Sequence, residues 1–125
     1  MRTLFHSVTS GIRVTARPYH AVEHSDPSAP RYVFVYRIRI ENVGQHTAQL
    51  LWRHWYIHDE VAGDSEVEGA GVIGEQPTLS PGDVHEYESF CVLQGPSGHM
   101  EGYYTFRRSD GEEVKVSIPR FILQA

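Results

Sequence analysis

From Tyr32 to Glu41 the chain alternates without a break. Tyr32, Phe34, Tyr36, Ile38 and Ile40 take one face, and Val33, Val35, Arg37 and Arg39 take the other. A period of two built from aromatic and β-branched residues is the pattern of a strand, because successive side chains leave a pleated backbone on opposite sides. No stretch of useful length carries the 3.6-residue period of an amphipathic helix. A chain whose strongest signal is of this kind, with nothing helical to cover a sheet, has to bury one sheet against another.

The remaining segments agree. Residues 11–22 alternate Ile12, Val14 and Ala16 against Arg13, Thr15 and Arg17, and Pro18 predicts an edge or an end of regular pairing, since proline gives no N–H to a ladder. Residues 24–31 are rich in Ser, Asp and Pro and read as a loop. In residues 47–58 Leu51, Arg53, Trp55 and Ile57 share one face, and Leu50, Trp52, His54 and Tyr56 share the other. Large apolar groups on both faces predict a central strand, with Trp55 in the core and His54 half-buried. Further strands are expected over 65–72, 84–93, 99–108 and 113–123. Turns fall at Asn42-Val43-Gly44, residues 59–64, Ser80-Pro81-Gly82-Asp83, residues 94–98 and Ser109-Asp110-Gly111-Glu112. Pro119 predicts an edge or a bulge. About seven short strands at regular spacing make an all-β chain, an antiparallel sandwich of one domain over residues 1–125 with its core about 11–123.

Composition bounds the function. The apolar share of 40% and aromatic share of 11% exclude a disordered chain. No run of 18 apolar residues is present, so no membrane partner is expected. Arg2, His6, Ser7, Thr9, Ser10 and Arg13 interrupt any leader-like apolar stretch at the start. Cys91 is the only cysteine; it rules out an internal disulfide and a cysteine-built zinc site, and points to a reducing compartment. The net charge of −5 is unevenly spread: +4 over residues 1–58, −10 over 59–101 with no Lys or Arg, and +1 over 102–125. That balance opposes a nucleic-acid partner, which needs a basic footprint. The acidic segment reads as a solvated face or as a docking surface for a basic partner or for cations.

Three patterns are candidates for chemistry. Gly69-Ala70-Gly71-Val72-Ile73-Gly74 fits G-x-G-x-x-G, which cradles a pyrophosphate when a strand leads through it into a helix N-terminus. Here Glu75, Gln76 and Pro77 follow, and Pro77 opposes a helix, while Glu66, Glu68 and Glu75 repel phosphate. The other readings are a close strand approach allowed by glycine, or an exposed interaction surface. Eight histidines invite a metal site, but His54 and His58 on a strand stand about 13 Å apart, and only His20, His24 and Asp26 flank one loop. Arg53 and Trp55 share a face, where Arg53 stacks on an aromatic ring or caps a carboxylate. No nucleophile elbow occurs, Cys91 sits in a strand where thiols are inert, and nothing requires a cofactor or a resident metal.

The residues also carry a resemblance. Ser25-Asp26-Pro27, Arg31-Tyr32-Val33-Phe34, Tyr36, Ile38, Ile40 and Asn42 are followed by Gln49-Leu50-Leu51 and Arg53-His54-Trp55. Then come Val67-Glu68-Gly69, Gly71-Val72, Gly74, Gln76-Pro77, Leu79, Pro81-Gly82 and Glu86-Tyr87. Gly98, Met100-Glu101-Gly102, Tyr104 with its neighbour Tyr103, Ile118-Pro119, Phe121 and Leu123 complete the set. In that order, over residues 11–123, the chain resembles the ApaG family. Trp52, Ala70 and His99 depart from the family pattern.

The resemblance implies an immunoglobulin-like or fibronectin-type-III-like sandwich. It implies a small cytoplasmic bacterial protein linked to cobalt resistance and magnesium efflux. Related domains attached to larger eukaryotic proteins, an F-box protein and a DNA-polymerase-delta-interacting protein among them, look like interaction modules. The expectation is therefore a non-enzymatic protein-interaction module with an unidentified protein partner. Its candidate site is Gly69, Gly71, Gly74, Glu75, Gln76 and Pro77, joined by Arg53 and His54. Divalent-cation binding, and nucleotide or pyrophosphate binding at the glycine loop, are the alternatives. A homodimer through a sheet face is a further expectation.

Overall fold

Nine strands form among the residues that the computed structural model describes, 4–26, 28–29 and 31–125. The expectations placed on Arg2 and on Pro27 lie outside the described residues. The strands are β1 (Phe5–Thr9), β2 (Ile12–His20), β3 (Tyr32–Asn42), β4 (Ala48–Asp59), β5 (Gly63–Ala70), β6 (Thr78–Leu79), β7 (Val84–Leu93), β8 (Ser97–Arg108) and β9 (Glu113–Gln124). One sheet has the order β1-β2-β3-β7 and the other β5-β4-β8-β9, with β6 paired to the start of β4. All ladders are antiparallel. The chain is thus the antiparallel sandwich that its alternation predicts. β1 and the two-residue β6 are additions to the expected set. Among the described residues no helix is long and apolar enough to cross a membrane.

The inward faces follow the period of two. Phe34, Tyr36, Ile38 and Ile40 of β3 join Val14 and Ala16 of β2 and Cys91 and Leu93 of β7 in one buried cluster. The facing sheet supplies Leu50, Trp55, Tyr104, Phe106, Phe121 and Leu123. Trp55 contacts Phe121 and Tyr104 edge to face, at centroid distances of 5.8 and 6.4 Å, the geometry aromatic quadrupoles favour.

One expectation about β4 is corrected. Strict alternation puts Leu50 on the same side as Trp52, His54 and Tyr56, yet Leu50 is fully buried in the core with Trp55. The cause is a bulge: Leu50 pairs with Phe106 and Trp52 with Thr105, so Leu51 is an extra residue without a partner. A bulge changes the parity of every side chain beyond it.

The prolines sit where their missing N–H is tolerated. β1 reaches only as far as Ala16 of β2, so among the described residues Pro18 lies where β2 has β3 alone beside it. On β9, Met100 pairs with Phe121 and Gly102 with Ile118, which sets Pro119 and Arg120 against the single residue Glu101. Pro119 is at a bulge in an edge strand.

One side of the sandwich is closed where β1 meets β9: Ser7 Oγ donates to Ser117 O at 3.1 Å, and Ser117 N donates to Thr9 Oγ1 at 3.3 Å. The other side ends in β7 and β5, the far members of the two sheet orders. Candidate chemistry collects along that open side.

Candidate functional site

The glycine motif forms a strand end and a tight hairpin, not a strand-to-helix turn. β5 ends at Ala70. Val72 and Glu75 then bridge each other through N–H donation in both directions, at 2.8 and 3.0 Å. Between them Ile73 has φ 46° and Gly74 φ 74°. Two positive φ values in the centre are those of a type I′ turn. Gly74 meets this requirement without cost. Gly71 meets two at once, with φ 64° and no room for a side chain, since a β-carbon there would stand 2.2 Å from Glu75 O. No helix follows, so the amide array that would hold a pyrophosphate is not formed here.

Arg53 is the hairpin's internal support. It pairs across the ladder with Gly69, and its guanidinium lies over that glycine. Its Nη1 donates to Ala70 O at 2.9 Å and to Gly71 O at 3.1 Å. The bulge at Leu51 finishes the arrangement. Leu51 O accepts from Gly71 N and from Gln76 Nε2, both at 2.9 Å. Leu50 N donates to Pro77 O at 3.0 Å, and Gln49 Nε2 donates to Gln76 O at 3.1 Å. Val72 is buried in the core and pins the base, while Ile73 projects at 61% exposure. The Glu75 carboxylate lies 3.6 Å from His85 Nε2.

Beside the hairpin the two sheets leave a cleft of 410 Å³, open between β5 and β7. Tyr36, Arg53, Trp55, Tyr87, Ser89 and Cys91 are among its walls. Val67 belongs to the inner face of β5, opposite Trp55, yet is 46% exposed because no described residue covers the cleft there. The Tyr87 and Tyr104 hydroxyls hydrogen-bond to each other. Burial drives both phenols well above the usual range. Burial likewise pushes the Cys91 thiol up to about 11, which keeps it protonated and poorly nucleophilic.

The structure therefore joins Gly69, Gly71, Gly74, Glu75, Gln76, Pro77 and Arg53 in one local unit. His54 is not part of it. Adjacent strand positions face opposite ways, so His54 lies on the outer face of its sheet. There it stacks on Tyr103 at 5.1 Å and stands 3.9 and 3.8 Å from the carboxylates of Glu66 and Glu68. Arg53 shares the inner face with Trp55 as expected, but its hydrogen bonds go to carbonyls and not to a carboxylate.

Among the described residues only His58 and His99 of the histidines come together, and they do not make a metal site. His58 meets Asp64 at 2.6 Å and stacks on His99. His20 bonds Ser25, Asp26 bonds Ser28, and His24 lies 3.9 Å from Glu23. Among the described residues no three His, Cys, Asp or Glu side chains are grouped to hold a metal ion. Sequence reasoning missed the tyrosine side of the cleft. Its signal was present in β7, where His85, Tyr87, Ser89 and Cys91 alternate inward, but no spacing rule links that face to Arg53 on another sheet.

The sequence pattern of the ApaG domain matches residues 22–108. The protein named ApaG from Sinorhizobium fredii is 47% identical over 122 residues, covering 98% of this chain and 94% of its own. Its namesake from Thiobacillus denitrificans is 48% identical over 112 residues, with 90% and 88% covered. The crystal structure of the Bordetella pertussis protein named ApaA superposes with a TM-score of 0.87 at 42% identity, covering 95% of this chain and 94% of that one. Likeness at this level over nearly the full length, in sequence and in backbone alike, places the chain in the ApaG family.

Proposed function

We propose that the protein is a non-catalytic recognition module that binds another protein through the Gly69–Pro77 hairpin and the cleft beside it. One observation carries this reading. Ile73 is a β-branched residue in the left-handed region, where L side chains are strained by about 1–2 kcal/mol. It is also 61% exposed, so burial does not offset the strain. Arg53, Gln76 and Val72 hold it there. A costly conformation that presents an apolar side chain to solvent, beside the exposed Val67 and Phe90 at the margin of the same cleft, has its natural reason in a partner.

Catalysis lacks supporting groups: the Cys91 thiol is buried and protonated, and the cleft's phenols are held neutral. Among the described residues no grouped ligands support direct cation binding, so we place the link to cobalt resistance and magnesium efflux downstream of the protein partner. The reading also places the protein in the cytoplasm, where a lone thiol stays reduced.

The test is affinity capture from the native cell, with each retained protein purified and its binding remeasured by calorimetry. Ile73→Asn is the informative variant, because Asn tolerates positive φ while removing the apolar group. The expected result is a partner that binds wild type and loses at least tenfold in affinity for Ile73→Asn. Partners that bind both proteins equally would overturn the assignment to this hairpin.

A further inference from the structure

Resting on the reading of the cleft as a recognition site, we infer that its partner is an extended strand of apolar–acidic–apolar pattern. The strand adds to the free edge of β7 at Ser89–Leu93 and sends its carboxylate to Arg53.

The two edges beside the cleft are protected very differently. Among the described residues β5 has only β4 beside it, and it carries Asp64, Glu66 and Glu68 at alternate positions, opposite His58, Tyr56 and His54. Their described ion-pair partners are histidines only. A row of like charge on an edge strand discourages addition of another strand. Among the described residues β7 has only β3 beside it. Its Glu86 is taken by Arg37 and Arg39, each at 3.1 Å. From Ser89 to Leu93 it carries no charge, while Phe90 and Val92 stand 66% and 42% exposed. An uncharged edge with exposed apolar side chains is the kind that another strand pairs with, through main-chain hydrogen bonds.

The period of two then dictates the partner's pattern. Phe90 and Val92 point outward and Ser89 and Cys91 inward. Two residues of an added strand would rest beside Phe90 and Val92, and the residue between them would enter the cleft. What awaits it there is donor chemistry. The Arg53 guanidinium is half-buried and forms no ion pair with a carboxylate among the described residues, and its described hydrogen bonds use Nη1 alone. The hydroxyl-bearing Tyr36, Tyr87 and Ser89 line the same space. A carboxylate suits a guanidinium with donors to spare better than any neutral group. The acids of β5 do not oppose it directly, because Glu66 and Glu68 flank His54 on the far side of that sheet.

The test uses three fluorescein-labelled peptides, Thr-Phe-Glu-Val-Thr, its Gln counterpart and its Lys counterpart, titrated by anisotropy and by amide NMR. The expected result is at least tenfold tighter binding of the Glu peptide than of the Gln peptide, with Lys weakest. Amide shifts should centre on Ser89–Leu93. Phe90→Lys, at an exposed position, should weaken all three at least tenfold, and Arg53→Gln should remove the preference for Glu. Equal affinity of the Glu and Gln peptides overturns the inference, as does absence of binding at millimolar peptide. A concentration-dependent dimer that Phe90→Lys dissolves also overturns it, because a second copy then fills the edge. None of these results touches the Ile73→Asn outcome, which judges the hairpin separately.

Discussion

The guanidinium of Arg53 lies against Gly69, where a β-carbon would stand 3.0 Å from Nη2 and 3.1 Å from Nη1. The cation thereby reaches the Ala70 and Gly71 carbonyls at the strand's end. Arg53→Lys keeps the charge but loses the planar donor set. It should cost about 1.5–3 kcal/mol, the value of one hydrogen bond to a charged group. Urea denaturation measures the loss. Hydrogen exchange at the Gly71 amide, which donates to Leu51 O, should accelerate more than exchange in β3.

Gly71 and Gly74 both have positive φ but differ in the space around them. A β-carbon at Gly74 meets nothing within 4 Å, whereas one at Gly71 meets Glu75 O at 2.2 Å. Gly74→Ala should cost about 1 kcal/mol, the conformational penalty alone. Gly71→Ala adds a backbone clash and should cost more than about 2 kcal/mol. Thermal denaturation of the pair separates the two, and equal losses would contradict the hairpin geometry.

Asp59 gives stability a pH dependence. Burial alone would raise its carboxyl, but backbone N–H groups of Gln94, Val61, Ala62 and Gly95 outweigh that and hold it below the ordinary carboxylate range. A group depressed in the folded state stabilises the fold above its unfolded pKa, and that contribution is lost as pH falls through the folded value. Stability should therefore decline in acid below about pH 4, near where an unfolded Asp titrates. Asp59→Asn should be less stable at pH 7 and lose less on acidification, as denaturation midpoints between pH 7 and pH 3 would show.

Tyr87, which lines the cleft, shares a hydroxyl hydrogen bond with the buried Tyr104. Tyr87→Phe leaves the fully buried Tyr104 hydroxyl without that partner and should cost about 1–3 kcal/mol. The double variant with Tyr104→Phe should cost less than the sum of the single losses, because it leaves no orphaned hydroxyl.

Cys91 is 8% exposed, and its thiol is raised by burial to about 11. At pH 8 it should react with a thiol-specific disulfide reagent at least a hundredfold more slowly than a free thiol, and promptly in denaturant.

Local patterns carried the strands of this protein. Alternation in Tyr32–Glu41 set the inward face of β3, and Pro119 marked a bulge at an edge, because both are properties of a few adjacent residues. The glycines of residues 69–77 were legible for the same reason: they announce positive φ or close contact wherever the fold puts them. Three things were not. The unpaired Leu51 moved Leu50 into the core, and a bulge is decided by which partner residues the ladder engages. The pairing that sets Arg53 against Gly69 joins two segments far apart in the chain, whereas the opposite facing of His54 follows from alternation. The cleft exists only because β5 and β7, from different sheets, end on the same open side of the sandwich. Where no bulge intervenes, a sequence settles which way a side chain points along its own strand; only the pairing of strands and the packing of one sheet on another decide where bulges fall and what that side chain meets.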